Sequence, residues 1–292
     1  MSEKAVNKFG NNIRKWELGW VDIFIEWKGQ QNIQQSVNDW LNDFEAEWAG
    51  GMGKVNTSFG AEGAKEVTSG LTKKEFVAGH GSQIQATTAK DGIVGRAERN
   101  MMALTFKNRL IDMFKEFDKI VENGSGIPLP QKVKLFMQQP TFKDTVHLFD
   151  TLGRKWTPGN YATMYARTKG GETYTANFLS EMVASGGDVV QISPTATDTP
   201  ICSQYVGRYF SLKGQTPGLP ILDITPPFHP NCVHIMLEVS PDKASEYRKE
   251  NTSREKTFRS DAKDFSTAQK NSIKKSEDYI RLNRPVKVGQ TV

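Results

Sequence analysis

Pro226-Pro-Phe-His229-Pro-Asn-Cys232-Val-His234-Ile-Met-Leu-Glu-Val239 is the stretch on which the reading of this chain turns. Its second half alternates and carries β-branched residues, which spells a strand over 232–239. Such a strand turns Cys232 and His234 to one face. Val233, Ile235, Leu237 and Val239 take the other, which is expected to be the buried one. The prolines hold the first half out of helix and stiffen it, so that His229 sits on a pre-set turn beside Cys232. Two more short strands are expected over 188–193 and 208–212, with a turn-rich loop at Lys213-Gly-Gln-Thr-Pro-Gly-Leu-Pro220. So few strands among helices predict an α+β fold: a mostly helical N-terminal half, a small mixed module with a short sheet, and a charged tail.

The chain holds only two cysteines and four histidines, and the window 198–234 contains both cysteines and two of the histidines. With Cys202 folded across from an earlier turn, Cys202, His229, Cys232 and His234 make a Cys2His2 set of the donors that tetrahedral zinc takes. Two plainer readings stand beside it: a reduced, metal-free polar cluster, and a Cys202–Cys232 disulfide. The spacing H-x2-C-x-H with one distant cysteine is not that of a standard zinc finger.

Four ordered blocks carry a resemblance. They are Tyr161-Ala-Thr-Met-Tyr165-Ala-Arg167-Thr168, Gly187-Asp-Val-Val-Gln-Ile-Ser193, Cys202-Ser-Gln-Tyr-Val-Gly207-Arg-Tyr-Phe-Ser211 and His229-Pro-Asn-Cys232-Val-His234. Over 154–239 the chain thereby resembles the Mu F-like minor capsid, or head-morphogenesis, family of portal-associated phage proteins. It carries Tyr205 where members often show a second cysteine, and Val233 where they often show arginine. The resemblance implies a structural virion protein rather than an enzyme, bound at the portal vertex inside a tailed-phage head and involved in capsid assembly, DNA packaging or genome delivery. The implied partners are the phage portal protein and the major capsid protein, and Zn2+ would be a structural cofactor.

Upstream of this region, Ile13, Trp16, Trp20, Ile23, Phe24 and Trp27 recur at helical steps, as do Ile33, Val37, Trp40, Leu41, Phe44 and Trp48. They predict an amphipathic helical hairpin over 1–48, broken near Gly29-Gln-Gln-Asn32. Trp16, Trp20, Trp27, Trp40 and Trp48 are either its core or anchors that dock on a partner protein. Gly50-Gly-Met-Gly53 and Phe59-Gly-Ala-Glu-Gly63 mark 49–70 as a flexible linker, and the absence of a following Gly-Lys-Ser/Thr argues against a phosphate loop. A helical domain is expected over 71–152, with helices near 71–88, 92–122, 130–138 and 142–152. His80 and His147 fall there, read as a solvated and a packed side chain without a role. The 153–240 module opens with two helices separated at Gly170-Gly171. Arg167 on the first either grips a phosphate or carboxylate or makes an ion pair, for example with Asp188 or Asp198.

At 292 residues, with 37% hydrophobic and 24% charged, the chain can bury a core and is expected to make two domains. No apolar run approaches the ~18 residues that cross a bilayer, and the polar N-terminus lacks a signal-peptide core. The expectation is a soluble protein made in the host cytoplasm and carried in the virion, with no membrane partner. The formal net charge is +5; residues 241–292 carry 13 Lys and Arg against 8 Asp and Glu, which is the whole +5, and the remainder carries 25 of each. This tail reads as one or two loosely attached helices or a partly disordered arm, able to contact packaged DNA non-specifically. A metal-dependent nuclease or other nucleic-acid-acting enzyme is the alternative. Against it, four ligands would close the zinc shell to water, and only Asp198 and Asp223 stand nearby as candidate bases.

Overall fold

The computed structural model describes residues 2–26, 33–67, 155–197 and 199–271, with scattered positions from 104 to 149 and at 273, 274 and 277; of residues 2, 16–26, 33–38, 40, 41, 148 and 149 it describes the backbone alone. The fold is α+β, with a helical N-terminal half. The chain divides into two compact units, residues 3–55 with 86–166, and residues 56–85 with 167–292.

In the first unit, helix α1 (Ser2–Glu26) and the opening of helix α2 (Ile33–Val67) are the two arms of the expected hairpin. Phe9 meets Trp48 edge-on with ring centroids 5.1 Å apart, and the Asn12 amide donates to Glu47 Oε1 at 2.6 Å. A Cβ on Gly51 would lie 2.3 Å from the Phe9 ring, so glycine there lets the arms close. Trp48 is buried, ringed by Phe9, Phe44 and Tyr165, and is a core residue rather than a docking anchor. Trp16, Trp20 and Trp40 lie on helical backbone, but their side chains, and Trp27 altogether, fall outside the described residues.

The helix expected over 71–88 also falls outside them. The described positions between 104 and 123 are helical, and Gly126 turns with φ 88°, where a stop was expected over 124–130. One expectation fails near the end of this unit. In place of a helix over 142–152, strand β1 (Leu148–Phe149) pairs antiparallel with strand β2 (Lys155–Trp156). An apolar pair as short as Leu148-Phe149 fits either period, and the pairing partner decided it.

In the second unit α2 continues as helix to Val67, where a flexible linker over 49–70 was expected. Gly51, Gly60 and Gly63, read as breakers, are contact points. A Cβ on Gly63 would stand 2.3 Å from the Tyr174 carbonyl oxygen, and one on Gly60 would be 3.1 Å from the Asn177 amide. Each glycine costs the helix about 1 kcal/mol of propensity relative to alanine, and the close backbone approach overrides it. Their neighbour is helix α3 (Pro158–Ser185), a single helix where two were expected, because Gly170 makes room for the Phe59 ring and Gly171 for Pro227.

Beyond α3 lies a three-stranded antiparallel sheet, with strand β3 (Val189–Ile192) between strands β4 (Tyr209–Ser211) and β5 (Met236–Glu238). The strand expected over 232–239 is paired only at its end. Its inward face is the opposite of the one expected: Cys232, His234 and Met236 are buried, whereas Val233 is 51% exposed. The outward backbone groups of β4 are satisfied from two directions. Ser211 pairs with Pro220 and Leu222, and Asn251 of helix α5 (Ala244–Asp261) exchanges two 2.8 Å bonds with the N–H and carbonyl of Tyr209. The Tyr247 ring stacks on Tyr209 at 4.1 Å. The first part of the 241–292 tail is therefore a docked helix, not a loose one. Its buried residues are only Tyr247 and Asn251, too few to leave a stripe in the sequence. No described helix is long and apolar enough to cross a membrane.

Candidate metal centre

Cys202 sits on a one-turn helix, α4 (Pro200–Ser203), which Pro200 starts and the Thr199 carbonyl holds by accepting from the amides of Cys202 and Ser203. His229 and Cys232 come from a second segment shaped by α3. The Thr175 hydroxyl donates to the Pro226 carbonyl at 2.7 Å, Pro227 rests against Gly171, and the Thr168 hydroxyl accepts from the Asn231 amide at 2.8 Å. Asn231 has φ 68°, a left-handed turn residue, and its side-chain oxygen accepts from Arg167. The turn closes when the Cys232 amide donates to the His229 carbonyl at 3.1 Å.

An aromatic staple joins the two segments. Phe228, next to His229 and fully buried, stacks on Tyr205 at 4.6 Å, and Tyr205 follows Cys202 by three residues. The result brings the side-chain donors of Cys202, His229 and Cys232 within 4.8 Å of one another. The two sulfurs are 3.9 Å apart, and both cysteines are free thiols. A disulfide would need about 2.05 Å, whereas two thiolates on one tetrahedral zinc, each at about 2.3 Å, sit about 3.8 Å apart.

His234 stands beside this triad rather than within it. Its Nδ1 is 3.4 Å from Cys232 Sγ, and its Nε2 is 3.0 Å from the Thr195 carbonyl, which places a proton on Nε2 and turns Nδ1 towards the sulfur. The expected set of four is thus a triad with a fourth nitrogen oriented at its edge. His229, half-buried, turns its Nδ1 to the Pro230 carbonyl at 2.7 Å, which leaves Nε2 as its ligating atom.

The electrostatics favour one deprotonated sulfur. The hydrogen bond from Cys202 pulls the Cys232 thiol well down; burial opposes this, and contacts with His229 and His234 add to the pull. Cys202 moves the other way, through the same hydrogen bond and through burial. Burial lowers both imidazoles, but the Cys232 sulfur more than offsets it and both end up raised. A thiolate flanked by imidazoles and a second thiol is the donor chemistry a borderline-soft cation takes.

Two aspartates were considered as partners for Arg167. Asp188 takes its donors from Ser211, Thr216 and the Lys213 amide, and Asp198 lies outside the described residues. Arg167 donates to the Asn231 side chain and so braces that turn. Sequence reasoning also passed over Tyr205, Phe228, Asn231, Thr168, Thr175 and Thr195. Asn231 alone carried a signal, as an Asn after Pro in a turn. The family models, curated proteins and solved structures compared with this chain give no match.

Proposed function

We propose that Cys202, His229 and Cys232 hold a structural zinc ion, with His234 as the donor that completes the shell, and that the chain is a minor capsid, head-morphogenesis protein of a tailed phage. Zinc would supply a cross-link between the Cys202 turn and the 229–234 segment, coupling metal binding to folding of a small sheet. The observation that carries this reading is the convergence of three donors from segments about thirty positions apart, within the ordered blocks on which the Mu F-like resemblance rests. Thiolate-rich coordination with His234 at hand leaves no position for a reactive water, which is why the role is structural and not hydrolytic.

On this reading the protein sits inside the head at the portal vertex, with the portal protein and the major capsid protein as its partners. Co-expression with each of those two proteins from the same phage, followed by affinity purification, tests the assignment. A stable complex with the portal protein is the expected result. Association with neither overturns the virion role, and DNA cleavage that requires added metal and is lost in His229→Ala replaces it with the nuclease alternative.

A further inference from the structure

The outer surface of α5 is not a uniformly mixed-charge face. On a helix of 3.6 residues per turn, Arg248, Lys249, Lys256 and Arg259 fall within an arc of about 100° on one flank, and Lys263 extends it just past the helix end. All five are exposed. Glu246, Glu250 and Asp261 occupy the opposite flank. Glu255 lies at the seam with the sheet, where it is already paired with Arg208 and Arg259. Between the cations stand only Ser245 and Thr252, so no apolar side chain interrupts the arc, and the one carboxylate at its edge is the paired Glu255.

We infer that this flank of α5 is a docking surface for the phosphodiester backbone of a nucleic acid duplex. Five cations whose one neighbouring carboxylate, Glu255, is already paired suit a partner that offers only anionic oxygens. The stripe runs about 22 Å, which at 3.4 Å of rise per strand phosphate lets several cations meet phosphates at once. An acidic protein partner would be expected to find an apolar or aromatic anchor at the centre of the patch, and an anionic lipid surface an apolar wedge; the flank has neither. Nothing on it is arranged to read base edges, so binding is sequence-blind and strongly salt-dependent.

The surface is also rigid enough to act as one unit, since α5 is fixed to the sheet edge by Tyr247 on Tyr209 and by the paired bonds of Asn251. The inference stands independently of the metal and of the virion role, because it concerns duplex binding by the purified chain alone.

Fluorescence anisotropy of a labelled random-sequence DNA duplex, titrated with the full-length protein at increasing salt, tests it. Log affinity should fall linearly with log salt at a slope of about −3 to −5, equally for unrelated sequences. Combining Lys249→Gln, Lys256→Gln, Arg259→Gln and Lys263→Gln should weaken binding at least ~10-fold and flatten the slope by about 3. Glu246→Gln with Glu250→Gln should leave binding equal or tighter. If the fourfold variant loses helix by circular dichroism, Lys249→Gln with Lys256→Gln should give roughly half the change in slope. No binding by the parent chain, or a slope unaltered in a folded variant, overturns the inference. Competition by polyglutamate as effective as by DNA overturns it in favour of an acidic polypeptide.

Discussion

Asp188 and Asn251 show at the scale of single side chains what keeps so small a sheet together. Burial alone would raise the Asp188 carboxyl, but the Thr216 and Ser211 hydroxyls and the backbone amides of Lys213 and Thr216 bring it below its usual value. A carboxylate lowered in the folded state stabilises above its unfolded pKa of about 3.9 and loses that contribution as pH falls through the folded value. Urea midpoints should therefore drop below about pH 4 in the parent protein, with a shallower acid slope in Asp188→Asn, which also costs about 1–3 kcal/mol at neutral pH by setting donors against donors. Asn251 acts as a one-residue strand, giving Tyr209 the two bonds a neighbouring strand would give. Asn251→Ala should cost about 1–3 kcal/mol and speed hydrogen exchange at the Tyr209 amide, while Asn251→Asp, which keeps the acceptor and loses the donor, should fall between.

Helix α2 is the element on which local signals and packing disagree most. Gly50, Gly51, Gly53, Gly60 and Gly63 look like a linker because each lowers helix propensity, and nothing in a window of the chain shows that α1 lies against Gly51 and α3 against Gly60 and Gly63. Two single substitutions separate the descriptions with opposite signs. Gly50 faces open space, so Gly50→Ala should stabilise by about 0.5–1 kcal/mol. Gly63 lies against the Tyr174 backbone, so Gly63→Ala should destabilise by about 1–3 kcal/mol. A flexible linker would respond to neither, and thermal melts of the two variants decide it. Helix α3 hid its continuity for the same reason at Gly170-Gly171. The strands β3 and β4 were legible because their apolar runs are short, bounded by turn residues and rich in β-branched or aromatic side chains. Helix α5 was not, because it is attached by a stacked tyrosine and an amide and not by an apolar face.

For the whole molecule, the ligand triad was legible in the clustering of scarce residue types, whereas the scaffold around it was not. Tyr205, Phe228 and Asn231 act through partners far along the chain, namely each other, Arg167 and Thr168, and no spacing rule relates them. That scaffold also explains why Cys232 and His234 face inward, contrary to the alternation of Val233, Ile235, Leu237 and Val239. The sulfur cluster is itself the core at that end of the sheet. If a metal is what binds Cys202 to the 229–234 segment, removing it should undo this module as a unit. Native mass spectrometry of the freshly purified chain, paired with thermal unfolding before and after chelation, is the most direct measurement. One zinc per chain, lost together with a cooperative transition that zinc alone restores, and absent from Cys232→Ser, is the predicted result. A metal-free chain whose two thiols titrate freely and whose melting is unmoved by either chelator or zinc would contradict it.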